Sequence, residues 1–515
     1  MPNPPPPTSP PQRTGPATAR VTLIRHPSLR PRWYLLTALA ILAIAGGLRL
    51  WQLGERGVWV DEAVFATNSR GTWQQMVERT RETNSAPLAY PALLLALNRL
   101  DDSAWMMRLP AAVCSLALVA VILALPRFGV CRVGALVAAS MLALSTTQVR
   151  YAQEIREYAA GCLLTGLMLA ATVAYHRKPG PKSGASIAAL AFTSPLVQYG
   201  AVIPAVAMLA VTGLQILRHH GLKRVLIASA PTAGAFLAGS LLAYVSTLRY
   251  QLAIADAWYL DGFYPGGGIV QSLEFFAEKS VDLIAFTTNG TILSVVGAVI
   301  GMIALVKLRR RVIHQPIFQF ALVCLGIAVT LALTGHYPFG GLRQNLFFAP
   351  VFALVIGTSA AALLRCRKFP KAIGVKAIAA TAAIAFGGVD LHRKDPWQEI
   401  VDIKGLFASL YEPIQNGAVV YVSQGAVPLF RFYHIEAPTI VFGRLFRNDP
   451  GILFEDMHTV IEKSRSEFYL ALSHLRVDEL KRIETLLSRS YELTNVAQGR
   501  GVALVKATLR RKPDR

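Results

Sequence analysis

Gly57-Val58-Trp59-Val60-Asp61-Glu62-Ala63 follows directly on the first long apolar run of the chain, residues 33–53. Two adjacent carboxylates at the mouth of a membrane helix are expensive unless they stay fully hydrated or meet a partner there. A hydrated pair is one reading. A base or an orienting acid is the other, since an apolar surface nearby raises a carboxyl group towards a useful range. The rest of the chain is read for what could stand opposite Asp61 and Glu62.

Of the 515 residues, 53% are apolar and only 16% charged, with a mean hydropathy of +0.42. Soluble domains carry about 25% charged residues. The apolar residues gather in runs of membrane-spanning length, which makes this an α-helical polytopic membrane protein. The formal charge of +22 comes from Lys and Arg in short clusters between those runs, where the positive-inside rule expects them. It reads as topology plus attraction to anionic headgroups, not nucleic-acid binding. Cys114, Cys131, Cys162, Cys324 and Cys366 fall in apolar runs or at their basic ends, so neither a disulfide framework nor a zinc site is indicated.

Residues 1–33 are rich in Pro and Arg and read as a disordered cytoplasmic tail. The first span is an uncleaved anchor. A first outer loop, 54–107, follows, with short amphipathic helices expected at 73–80 and 87–100. Further spans are expected near 108–126, 133–150, 157–175, 185–199, 200–217, 225–245, 288–306, 317–335, 345–364 and 372–390, about 11 in all. Ser194-Pro195 and Gln198-Tyr199-Gly200 are read as a tight turn between two spans. With two spans there, the basic clusters all fall on one face of the membrane. The loops 54–107, 150–157, 246–287 and 336–344 then face outward, and an odd span count puts the C-terminus outside as well. The membrane domain covers 34–390. Residues 391–515 change in character and read as a small extracytoplasmic α/β domain. Strands are expected at 418–423, 439–442, 468–472 and 502–505, and helices at 398–410, 453–464 and 477–488.

Three outward segments carry chemistry besides Asp61-Glu62. Between the third and fourth spans lies Arg150-Tyr151-Ala152-Gln153-Glu154-Ile155-Arg156-Glu157-Tyr158. On a continuous helix, Arg150, Glu154 and Glu157 share one face, as do Tyr151, Glu154 and Tyr158. A helix-end salt-bridge ladder is the plainer reading, a functional cluster the sharper one. The loop His336-Tyr337-Pro338-Phe339-Gly340-Gly341-Leu342-Arg343 sets a guanidinium beside a glycine pair, suited to bidentate contact with phosphate. Residues 246–287 combine aromatic side chains with Gly266-Gly267-Gly268, as an interfacial belt or a mobile lid would. P-loop, HExxH and Asp-x-Asp motifs are missing from the sequence.

Taken together, the order of motifs resembles the large-membrane-loop, or GT-C, glycosyltransferases. The resemblance is to the branch that includes the protein O-mannosyltransferases and the aminoarabinose and Rgt-type lipopolysaccharide transferases. The resemblance rests on one span, a long loop opening with Asp61-Glu62, Pro87-Leu88-x-Tyr90, then Arg108-Leu109-Pro110, and later Tyr151-Ala152-Gln153-Glu154-x-Arg156-x-Tyr158. It covers about residues 34–350. The family often has Arg-Tyr near the start of the late span, where this chain has Arg343-Gln344.

The resemblance implies a membrane glycosyltransferase of the GT-C fold in the cell membrane. It would move a sugar from a polyprenyl-phosphate donor to an extracytoplasmic glycolipid, polysaccharide or protein by single displacement. Asp61 would be the base, with Glu62 as its neighbour and Glu154 as a second acid. Tyr151, Arg156 and Arg343 would hold the donor phosphate, with Arg150 beside them. Tyr90, Tyr158, His336 and Tyr337 would touch substrate. No cofactor is required by this residue set and no metal ligand is assigned; a divalent cation is compatible with it but not demanded. A transporter or flippase of lipid-linked saccharides would need charges in mid-span, where there are nearly none. A non-catalytic scaffold with an outer binding domain would have no need of Asp61.

Overall fold

The computed structural model describes residues 30–83, 85–252, 262–288, 315–363, 403–443, 466–473, 477–499 and 502–510. The tail up to residue 29, the spans expected at 288–306 and 372–390, and the helix expected at 453–464 lie outside these residues.

Among the described residues, five helices are long and apolar enough to cross a membrane, or six if one bent pair counts as a span. The chain is a multi-pass membrane protein. The bundle is built from α1 (Pro31–Leu50), α5 (Ala104–Ala124), α6 (Arg132–Leu144) with α7 (Thr146–Ala152), and α8 (Tyr158–Arg177). It continues with α9 (Pro181–Val197), α10 (Val202–Ala243), α12 (Pro316–Leu333) and α13 (Phe348–Leu363). Small residues let backbones meet. A Cβ on Gly134 of α6 would fall 3.0 Å from the carbonyl of Gly357 in α13, the close approach that membrane helices use in place of a hydrophobic drive.

The turn expected at residues 194–200 is present: α9 ends at Val197, a 3₁₀ turn spans Tyr199–Ala201, and α10 starts afresh at Val202. At 42 residues α10 would run about 63 Å as one rod, twice the hydrocarbon thickness. Gly221, at φ 77° and ψ 171°, breaks it. The break sits among Arg218, His219, His220, Lys223 and Arg224, between the two spans read from the sequence. Past the break the chain returns along α9, where a Cβ on Gly239 would fall 2.1 Å from the Phe192 carbonyl.

The span expected at 133–150 is bent by 61° between α6 and α7. A bend frees carbonyls at the end of the first piece. Arg49, 1% exposed in the last turn of α1, answers them, donating to Leu142 O at 2.8 Å and Ala143 O at 3.0 Å.

The loop 54–107 holds α3 (Trp73–Thr83) and α4 (Ala89–Asn98), near their expected places, and also a helix the sequence reading did not anticipate, α2 (Val60–Asn68). The segment 246–287 is not one open loop. Residues Tyr244–Leu248 form a π turn, Arg249–Leu252 a last helical turn, and α11 spans Ile269–Thr288. Charges at Glu274, Glu278, Lys279 and Asp282 disguised α11, but Phe275, Phe276, Leu283 and Phe286 pack on the bundle core.

The C-terminal unit comprises α14 (Ile403–Gln415), β1 (Val419–Val422), α15 (Val427–Phe432), β2 (Ile440–Phe442), β3 (Glu467–Ser473), α16 (Val477–Leu487), β4 (Tyr491–Gly499) and β5 (Val502–Leu509). Its five-stranded sheet has the order β2-β1-β3-β5-β4. β1 runs parallel to both neighbours, and β5 antiparallel to β3 and β4. Four strands were legible. Edge strand β4 was not read, although Tyr491-Glu492-Leu493-Thr494 alternates apolar and polar residues; its register slips between Asn495 and Ala497.

Candidate active site

The site begins with how α2 starts. Trp59 is extended, and its N–H meets the Glu62 carboxylate at 3.4 Å, so the helix opens at Val60 with both acids in its positive first turn. Successive helical side chains diverge by about 100°, which sends Asp61 and Glu62 to different places.

Glu62 goes inward. It is 2% exposed and meets Arg108 of α5 in a two-pronged ion pair, Nε to Oε1 at 2.9 Å and Nη2 to Oε2 at 2.8 Å. Its Oε1 also accepts the Ile155 N–H at 2.8 Å. The remaining Arg108 donors reach Leu53 O, Arg56 O and Gly57 O at 3.0–3.1 Å. Every guanidinium N–H is thus used. One buried pair ties together the exit of α1, the start of α2, and the turn before α8.

That turn is the loop expected at 150–157 between two spans, so the face-sharing that a helix would give is not met. α7 ends at Ala152 and α8 begins at Tyr158. Residues 153–157 turn between them, so Tyr151, Glu154 and Tyr158 do not share a helix face. The i,i+4 pair survives, with Arg150 Nε 3.3 Å from Glu154 Oε1. Gln153 caps α1, its Nε2 donating to Leu48 O, Arg49 O and Trp51 O at 3.0–3.2 Å. Glu154 is buried, and burial, reinforced by the charge of Glu62, pushes its carboxyl up to about 7.

Asp61 points the other way, into a cavity of about 270 Å³. Arg343 Nη1 is 2.5 Å from its Oδ2, and the guanidinium lies over the rings of Trp59 and Tyr158, at 5.6 and 5.9 Å. The loop bearing Arg343 is held by its own hydrogen bonds. Asn345 Nδ2 donates to Pro338 O and Gly340 O at 3.0 and 3.1 Å, and Tyr337 Oη to Gln344 O at 2.9 Å. Gly200 in the α9–α10 turn lets this loop close in, since a Cβ there would fall 2.8 Å from Tyr337 Oη. Arg156 is the second cation. Its Nη2 donates to Tyr158 Oη at 3.0 Å, Glu157 lies 3.4 Å from its Nε, and Phe65 stacks on it at 4.9 Å.

Of the residues singled out in the sequence, Asp61, Arg156, Tyr158, His336, Tyr337 and Arg343 line this cavity. Glu62, Tyr90, Arg150, Tyr151 and Glu154 are not on its wall; they lie in the shell that supports it. Glu157, Gln198 and Tyr199 line it too, unanticipated because the first looked like a salt-bridge member and the others like turn residues. Glu157 Oε2 and Gln198 Oε1 are buried without a hydrogen-bond partner among the described residues. The C-terminal unit closes one side with Gln424, Gly425 and Pro428, from the β1–α15 connection. It is fastened there: Tyr433 Oη accepts the Val58 N–H at 2.8 Å, and Arg70 donates to Arg431 O at 3.0 Å. Among the described residues no three His, Cys, Asp or Glu side chains gather as a metal ligand set, and the two acids of the wall, Asp61 and Glu157, already face guanidinium groups.

No family model matches the sequence, and no curated protein matches it. The fold does have counterparts. ArnT from Cupriavidus metallidurans, in a crystal structure bound to undecaprenyl phosphate, is similar at a TM-score of 0.52 and 14% identity, over 92% of this chain and 98% of that one. The apo crystal structure of the same protein gives 0.53 and 13%, over 93% and 98%. The chain has the GT-C fold that its motifs led one to expect.

The buried pair makes a prediction. Arg108→Ala or Glu62→Gln leaves the partner charge buried and unmatched, a loss of about 3–5 kcal/mol for a buried pair. Thermal unfolding in detergent should show a clear drop for each single variant. The double variant should lose less than the sum. Two additive losses would mean the residues are not coupled.

Proposed function

We propose that this chain is an integral-membrane glycosyltransferase that moves a sugar from a polyprenyl-phosphate donor to a hydroxyl-bearing acceptor outside the cytoplasm. One observation carries the reading: Asp61, Arg156 and Arg343, from three separate segments, converge in one cavity at the end of the apolar bundle. Paired guanidinium groups suit a phosphate, and a carboxylate beside them suits deprotonation of an acceptor. The undecaprenyl phosphate bound in the ArnT crystal structure supports the donor class.

The chemistry follows from charge. The acceptor hydroxyl attacks the anomeric carbon as Asp61 takes its proton, the bond from that carbon to the phosphate oxygen breaks, and polyprenyl phosphate leaves. The leaving group needs stabilisation of negative charge, which Arg156 and Arg343 supply without giving up a proton. Glu157 Oε2 and Gln198 Oε1 would accept hydrogen bonds from sugar hydroxyls. Leu248, Leu252 and Phe263 form an apolar flank of the cavity where the first part of a lipid chain would lie. The wall from the C-terminal unit gives that unit a part on the acceptor side.

The central test is Asp61→Asn, which keeps size and removes basicity. Transfer from a polyprenyl-phosphate sugar by purified protein should fall by about 10²–10⁴-fold, with the unfolding temperature retained. A folded variant that transfers at the wild-type rate would remove the base. Arg156→Ala should weaken polyprenyl-phosphate binding through loss of a charge-assisted contact of about 1.5–3 kcal/mol, and lysine should restore it only in part. Unchanged affinity would leave Arg156 a packing residue.

Orientation is tested separately. A reporter fused after residue 450 should be active only outside the cytoplasm, and one at residue 310 only inside. Both reporting from the same side would break the proposed topology.

A further inference from the structure

The cavity wall carries Arg156 and Arg343 against Asp61 and Glu157. Among these four residues two positive charges face two negative ones, so the wall is balanced before any ligand enters. A phosphodiester donor adds one negative charge. It cannot take a guanidinium that stays fully engaged with a carboxylate. Of the two cations, Arg343 is the one held by Asp61 itself. It also rests against Trp59 and Tyr158, contacts that do not depend on which anion it faces. Arg156 is anchored differently, by Glu157, Tyr158 and Phe65.

We propose that Arg343 serves two anions in turn: Asp61 in the empty pocket and the donor phosphate in the loaded one, so that donor binding is what releases Asp61 to act as base. This rests on the donor reading above. A carboxylate held by a guanidinium is a weaker base than one released from it. The empty enzyme therefore keeps its base masked, and the donor unmasks it at the moment an acceptor proton has somewhere useful to go. The balance closes. Donor monoanion, Asp61 carboxylate and neutral acceptor give neutral product, polyprenyl phosphate dianion and protonated Asp61, two negative charges on each side. The dianion then holds Arg343 more firmly than the monoanion did, and Asp61 regains Arg343 only when polyprenyl phosphate departs and its proton is passed on. Binding is thereby ordered, donor before acceptor.

The test needs no acceptor. Undecaprenyl phosphate is titrated into the purified full-length protein in detergent, read by calorimetry and by the change in tryptophan fluorescence, to which Trp59 beside Arg343 contributes. Asp61→Asn should bind about 10–100-fold more tightly than wild type, the range of one charge-assisted hydrogen bond no longer contested. Arg343→Ala should bind more weakly. In the Arg343→Ala background, adding Asp61→Asn should change affinity by no more than about twofold, since the contested cation is gone. Asp61→Ser serves as the second carboxylate-free variant if Asp61→Asn unfolds. Wild-type binding with no gain in either Asp61 variant overturns the proposal and leaves the donor reading standing. A gain that persists without Arg343 also overturns it, by making Asp61 a source of general repulsion. No binding by any variant removes the donor reading and this one together.

Discussion

The Arg108–Glu62 pair is the contact on which the site depends. A charged pair at 1–2% exposure is unfavourable unless every donor and acceptor is matched, and here the guanidinium reaches three backbone carbonyls besides the carboxylate. Those carbonyls belong to the chain leaving α1, and the carboxylate belongs to the first turn of α2. The orientation of α2 is thereby set, and with it the direction of Asp61. Glu62 contributes by being buried; Asp61 can face the cavity because its neighbour does not.

The same device recurs around the cavity. Gln153 closes the end of α1, Arg49 answers the carbonyls freed at the α6–α7 bend, and Asn345 holds the 338–345 loop closed. In each case a long polar side chain satisfies backbone left open where a helix ends or a loop turns. Such places are where a membrane protein can build a polar site without exposing backbone to lipid. Asp61, Arg156 and Arg343 all stand within a few residues of one.

The C-terminal unit belongs to this site and not only to the chain's end. Its parallel half, β2-β1-β3, delivers the β1–α15 connection to the cavity, the usual place for ligand contact in an open α/β sheet. Tyr433 and the carbonyls of Arg431 and Phe432 engage Val58 and Arg70. Val58, Ala63 and Phe65 share one apolar core with Leu429, Phe430 and Phe432. The 54–107 loop and the C-terminal unit therefore pack together through one shared apolar core.

What the sequence determined by itself was whatever depends on local composition and period. The membrane bundle, the positions of most spans, the break between α9 and α10, four of five strands, and the candidacy of Asp61, Arg156 and Arg343 could all be read from runs of apolar residues and the polar residues at their ends. Periodicity also misled, leaving α11 as loop, because it registers the spacing of side chains and not the packing that preserves a helix. Tertiary structure decided the division of labour. Asp61 and Glu62 are indistinguishable in a row of letters, and Arg108 read only as part of a motif entering a span. Which acid faces the cavity followed from Arg108, 46 residues further along the chain. Which cation faces Asp61 followed from Arg343, 282 residues away. Pairings of this kind are set by how helices pack, and no local pattern encodes them.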